Sequence, residues 1–86
     1  MEATENVYFQ FQPKWREELV CSCRLGSFSL EMTMGSAQEV YLPTAEVWAQ
    51  KAPAWARPLW AQLHDQLVSW CSSRVPLHVV DNAPIY

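Results

Sequence analysis

Glycine is scarce in this sequence, two residues in 86. That excludes a glycine-rich phosphate loop, which needs several glycines at fixed spacing to bring backbone N–H groups onto a phosphate. Gly26 and Gly35 read as punctuation. No apolar run approaches the roughly 18 residues needed to cross a bilayer, so no membrane span is expected. No apolar stretch of a secretory signal opens the chain either. Basic residues are also few, six against nine acids for a net charge of −3. Direct nucleic-acid binding rests on Lys and Arg neutralising phosphates, and this balance argues against it. The three cysteines are an odd number and cannot form a fully paired disulfide framework. A reducing compartment follows, with the cytoplasm as the expected location. There is no internal repeat and no low-complexity linker, and the length sets one domain over residues 1–86.

What the chain does have is alternation. Val7, Phe9 and Phe11 alternate with Tyr8, Gln10 and Gln12, the period-2 pattern of a half-buried strand, which Pro13 is expected to end. Leu19, Cys21, Cys23 and Leu25 alternate with Glu18, Val20, Ser22 and Arg24. After Gly26-Ser27, the residues Phe28, Leu30, Met32 and Met34 alternate with Ser29, Glu31 and Thr33. The pattern predicts a hairpin with Gly26-Ser27 as its two-residue loop, pairing Leu25 with Phe28, Cys23 with Leu30, Cys21 with Met32 and Leu19 with Met34. A short strand over residues 39–42 follows, with Val40 and Leu42 on one face, stopped by Pro43.

Thr44 is placed to cap a short helix over Ala45–Lys51, with Glu46 in the first turn where the macrodipole favours an acid. Pro53 ends it. Pro58 is suited to open a main helix over residues 58–74. Leu59, Trp60, Leu63, Leu67, Trp70 and Cys71 recur there at three- and four-residue steps, with Gln62, Asp65, Gln66 and Ser69 opposite. Leu77–Val80 is apolar on both faces, which predicts an interior strand. The expected fold is α+β: an antiparallel sheet of four to five strands in the order β-β-β-β-α-α-β, with one main amphipathic helix packed on one face.

Cys21, Cys23, Cys71, His64 and His78 invite a zinc site. Structural zinc ligands come in pairs two to four residues apart in loops or knuckles, however, and alternate positions of a regular strand do not converge on one tetrahedral ion. The thiols are read as apolar filler, with no metal and no cofactor. His64-Asp65 resembles an acid-base fragment, but neighbouring helical positions do not face one another. No nucleophile is visibly paired with a base, so no enzymatic activity is expected.

The remaining signals concern recognition. Residues 1–46 hold seven acids against three bases, a sum of −4, while residues 47–86 sum to +1. The acidic half suits a basic partner, with Glu17, Glu18, Glu31 and Glu39 as candidate contacts. Trp55, between Pro53 and Pro58, and Trp15, between Lys14 and Arg16, are candidate aromatic contacts for the same surface. Any uncovered sheet edge would be able to pair a second chain.

The strand ending at VYLP, a tryptophan followed by a proline-rich turn, an amphipathic helix and a last strand LHVVD together resemble small bacterial immunity proteins that neutralise polymorphic or contact-dependent toxins. The resemblance covers mainly residues 39–81 and lies in the order of elements. It implies a compact, commonly acidic domain without catalytic residues that binds a partner protein, here a basic toxin domain, and it carries over no functional residue. The alternative is a self-associating accessory protein, a homodimer formed through a sheet edge or the helix layer.

Overall fold

The computed structural model describes residues 6–14, 17–35, 37–72 and 74–86. Five strands form one sheet: β1 (Gln10–Lys14), β2 (Glu18–Cys23), β3 (Gly26–Thr33), β4 (Glu39–Pro43) and β5 (Leu77–Val80). Their order in the sheet is their order in the chain. Between β4 and β5 come α1 (Ala45–Lys51), a 3-10 turn over Ala54–Leu59 and α2 (Trp60–Cys71). The fold is α+β, with the expected succession of elements. The first four strands are antiparallel, whereas β5 runs parallel to β4 with Val40 opposite Leu77. The helical connection carries the chain back to the end of the sheet where β4 began, which is what a parallel pair requires.

The alternation of residues 18–34 survives, with a different register. Cys23 faces Gly26, Cys21 faces Phe28 and Leu19 faces Leu30, so the loop is Arg24-Leu25 and not Gly26-Ser27. Moving the turn by two residues preserves the parity of every pair, because the side-chain period of a strand is also two. Leu19, Cys21, Phe28, Leu30, Met32, Val40 and Leu42 therefore still point to one face, all buried, and join Trp48, Ala52, Ala56, Leu59, Leu63, Leu67 and Cys71 in one core.

The first helix is as the sequence predicts. Thr44 accepts a hydrogen bond from the Val47 N–H at 3.4 Å and donates one to Asp81 at 2.8 Å. The main helix begins two residues later than expected, because Pro58 falls inside the 3-10 turn. It also ends earlier, at Cys71. Trp70, expected in the core, is 36% exposed and lies with its ring 5.7 Å from Phe11.

Gln62 and Gln66, expected to face solvent, instead hold residues 6–9. Gln62 Oε1 accepts from the Val7 N–H and Gln66 Oε1 from the Phe9 N–H, each at 2.8 Å, and Gln66 Nε2 donates to the Val7 carbonyl. Four helical residues rise about 6 Å, close to the roughly 6.6 Å of two extended residues, so glutamines at i and i+4 match N–H groups at i and i+2. Val7 and Phe9 are thereby buried as their alternation predicts, while hydrogen-bonded to a helix and not to the sheet. The strand proper runs through Pro13, which an edge position tolerates.

Two further features complete the sheet. β5 is an edge strand, not an interior one, and Val79 is 39% exposed. Where β4 leaves β3 beyond Tyr41, the last residues take its place: Tyr86 exchanges two backbone hydrogen bonds with Ser29, and Ile85 lies opposite Leu30.

Candidate functional site

All helices pack on the inner face of the sheet, so the residues of opposite parity form an open face. The strand registers place Lys14, Glu18, Glu31, Tyr41 and His78 in one row across all five strands. Glu39 stands beside this row, opposite Thr33. Of the acids singled out in the sequence, the structure therefore brings Glu18, Glu31 and Glu39 onto one surface. Glu18 and Glu31 are direct cross-strand partners, a like-charge pairing that costs stability. Lys14 on the other side of Glu18 offsets part of that cost.

Glu39 organises the β5 end of the row. Its Oε1 accepts from the Tyr41 hydroxyl at 3.1 Å and lies 2.8 Å from His78 Nε2. The Tyr41 and His78 rings stack at 5.0 Å with 20° between planes. The hydrogen bond to Glu39 is the main reason the Tyr41 hydroxyl is pushed up from its ordinary value of 10.0, with the negative charges of Glu39 and Glu31 acting in the same direction. The carboxylates can accept charge-assisted hydrogen bonds from Arg or Lys side chains of a partner.

The other candidates lie elsewhere. Glu17 occupies the β1–β2 turn with φ 64°, exposed, its carbonyl accepting from the Met32 N–H at 3.1 Å. Trp55 sits in the 3-10 turn on the helix side of the sheet. It is half-buried, with its ring 5.9 Å from Phe28 and packed over Gly26. Trp15 lies outside the described residues. Tyr41, His78 and Lys14 are members of the row that the sequence does not mark as partner contacts, His78 being weighed there only as a metal ligand. The signal that finds them is parity, since they alternate with the inward positions Val40, Leu42, Leu77 and Pro13.

Cys21 and Cys71 are buried, and burial pushes both thiols above their ordinary value of 9.0. Cys21 Sγ donates to the Leu19 carbonyl, and Cys23 Sγ accepts from the Leu25 N–H. Among the described residues no group of three or more His, Cys, Asp or Glu side chains is placed to hold a metal ion. His64 Nδ1 stands 3.5 Å from Asp65 Oδ1, so these helical neighbours do approach each other. The imidazole is stacked on Trp60 at 5.0 Å, and Asp65 is 84% exposed. Among the described residues no helix is long and apolar enough to cross a membrane.

The shifted thiols and phenol set a sign for alkaline stability. Each holds its proton to a higher pH when folded, so its contribution is complete below the unfolded value and is lost as pH rises through the folded one. The urea midpoint is expected to fall as pH passes 9.0, where unfolded-state thiols ionise first, and to fall further above 10.0. A Cys21→Ala variant, less stable at neutral pH, loses less on alkalinisation than the parent. Parallel pH profiles for the two would contradict this assignment.

Comparison of the chain with protein-family models, with curated proteins and with solved structures gives no match.

Proposed function

We propose that this chain is a small protein-binding domain, an inhibitor or immunity protein, that engages a basic partner domain through the open face of its sheet. The observation that carries the reading is the row Lys14–Glu18–Glu31–Tyr41–His78 with Glu39 beside it, three carboxylates and one lysine on the face of the sheet opposite the helices. A sheet needs no such arrangement to fold, and the Glu18–Glu31 pairing works against folding. Acids grouped on a rigid pleated surface raise the encounter rate with a cationic partner and fix its register. The order of elements over residues 39–81, with its likeness to toxin-neutralising immunity proteins, points to the same class of partner. Glu17 at the adjacent turn extends the acidic surface, while Trp55 faces the opposite side and would serve a partner that wraps around the hairpin end.

The reading makes opposite demands on one residue. Glu31→Lys relieves the repulsion with Glu18 and is expected to stabilise the fold by roughly 0.2–1 kcal/mol. The same change is expected to slow association with the partner about tenfold at low salt. The test pairs the chain with the product of the gene next to its own, reading stability by urea denaturation and binding by calorimetry and stopped flow. A one-to-one complex that weakens with salt and with Glu31→Lys is the expected result. Failure to bind that product, or binding indifferent to salt and charge reversal, would defeat the proposal. A dimer that persists on dilution in light scattering would favour the self-associating alternative.

A further inference from the structure

We infer that β5 accepts an extended, cationic segment of the partner as an added strand, placing a basic side chain of that segment within reach of Glu39. This deepens the acidic-face reading above and rests on it. The two sheet edges differ in kind. β1 carries Pro13, which has no N–H, and Lys14, both devices that blunt an edge against pairing. β5 reads LHVV, with neither proline nor fixed charge.

The backbone groups of β5 are sorted by the ladder itself. The Val40 N–H donates to the Pro76 carbonyl at 3.0 Å, and Val40 stands opposite Leu77. In a parallel pair, a residue bonds those on either side of its partner, so the even-numbered β5 residues turn their backbone groups toward β4. The N–H and C=O groups of Leu77 and Val79 consequently point away from the sheet. The Val79 side chain, on the same face of the sheet as Leu77, is 39% exposed beside this edge.

Charge selects the occupant. Strands lie about 4.8 Å apart, so a strand added to β5 sits about 10 Å from β4, within reach of an arginine side chain. Glu39 already extends toward β5, since its Oε1 lies 2.8 Å from His78 Nε2. A basic residue beside His78 would share that carboxylate and continue the row toward Glu31. A second copy of this chain fits less well, because pairing β5 with β5 would bring two surfaces of three carboxylates each into one continuous face. The four residues of β5 call for a segment of similar length.

The test uses a seven-residue peptide of alternating arginine and valine with blocked ends, a glutamate-for-arginine control, and the arginine peptide N-methylated at alternate backbone positions. With isotope-labelled protein, the arginine peptide is expected to shift the Leu77 and Val79 amides and slow their hydrogen exchange at least tenfold. The control and the N-methylated peptide are expected to do neither. Val79→Pro removes one edge donor and is expected to abolish the protection. Val79→Lys keeps the backbone, adds a charge at the edge and is expected to weaken binding about tenfold, so the conclusion does not depend on the proline variant folding. Peptide binding that shifts Glu18, Glu31 and Glu39 without protecting Leu77 and Val79 would overturn strand addition while leaving the acidic-face reading in place. Absence of peptide binding also overturns strand addition, and the acidic-face reading then stands or falls on Glu31→Lys with the full partner. Protection that grows with protein concentration in the absence of peptide would assign the edge to a second copy and overturn the proposal.

Discussion

Trp48→Ala is expected to leave the protein mostly unfolded at room temperature. Trp48 is fully buried and is the largest side chain in the core, and its ring meets Phe28 edge-on at 5.2 Å. Truncating a buried tryptophan costs about 3–5 kcal/mol in lost burial and in the cavity left behind. The indole N–H also donates to the Ala56 carbonyl at 2.9 Å, and losing that donor strands a buried acceptor at a further cost of about 1–3 kcal/mol. A chain of this size has roughly 4–13 kcal/mol of stability in total. The companion variant Trp48→Phe keeps one aromatic ring against Phe28 and loses the donor with the rest of the indole, so it is expected to fold with a loss smaller than that of Trp48→Ala. Urea denaturation followed by circular dichroism reads both. A cooperative Trp48→Ala transition within 1 kcal/mol of the parent, set against the roughly 3–5 kcal/mol expected, would mean that α1 is not pinned to the sheet through this ring.

Gly26→Ala carries the second large effect. Gly26 has φ 155°, a backbone conformation that residues with a Cβ rarely adopt. An added Cβ would also meet the indole of Trp55, at 2.8 Å from Cζ2 and 2.9 Å from Cε2. Either the ring swings away from Phe28 or the hairpin shifts, and the combined cost is expected to be about 2–3 kcal/mol. A double-mutant cycle separates the two causes. In a Trp55→Ala background the steric part disappears and the backbone part remains, so the cost of Gly26→Ala is expected to drop by about 1 kcal/mol. An unchanged cost would assign the whole effect to the backbone and show that Trp55 does not close over the hairpin end.

The same glycine explains where the sequence misleads about the hairpin. A Gly-Ser dipeptide between two alternating runs is a strong local turn signal, yet the turn lies two residues earlier, at Arg24-Leu25. The glycine answers to a tertiary demand, room for an indole arriving from a segment some 30 residues downstream, which no local pattern encodes. The core was legible because parity is robust: Leu19, Cys21, Phe28, Leu30 and Met32 face inward under either register, and of the expected inward residues between them Leu25 is carried into the loop, where it is 44% exposed. The edge position of β5 was not legible, since an apolar run of four residues looks alike in the middle of a sheet and at an edge covered on one side by α2. Gln62 and Gln66 read as solvent-facing because their partners are backbone groups, which carry no sequence signature.

The candidate site was half legible for a related reason. Glu18, Glu31 and Glu39 could be named from charge alone. Their meeting with Tyr41 and His78 depends on the pairing of β4 with β5, and no spacing within one strand reveals that pairing. Trp55 stood out through its flanking prolines, which do hold it in place, against Gly26 and Phe28.

Strand order that follows chain order has a consequence for how the molecule assembles. Each neighbour from β1 to β4 can zip onto its predecessor across a short loop, whereas Leu77 must find Val40 across the whole helical segment. Closing that longer span carries the greater entropic penalty, so β5 joins a ribbon that its predecessors have already built. Until β5 arrives, β4 is a bare template, open for an interval to whichever strand reaches it first.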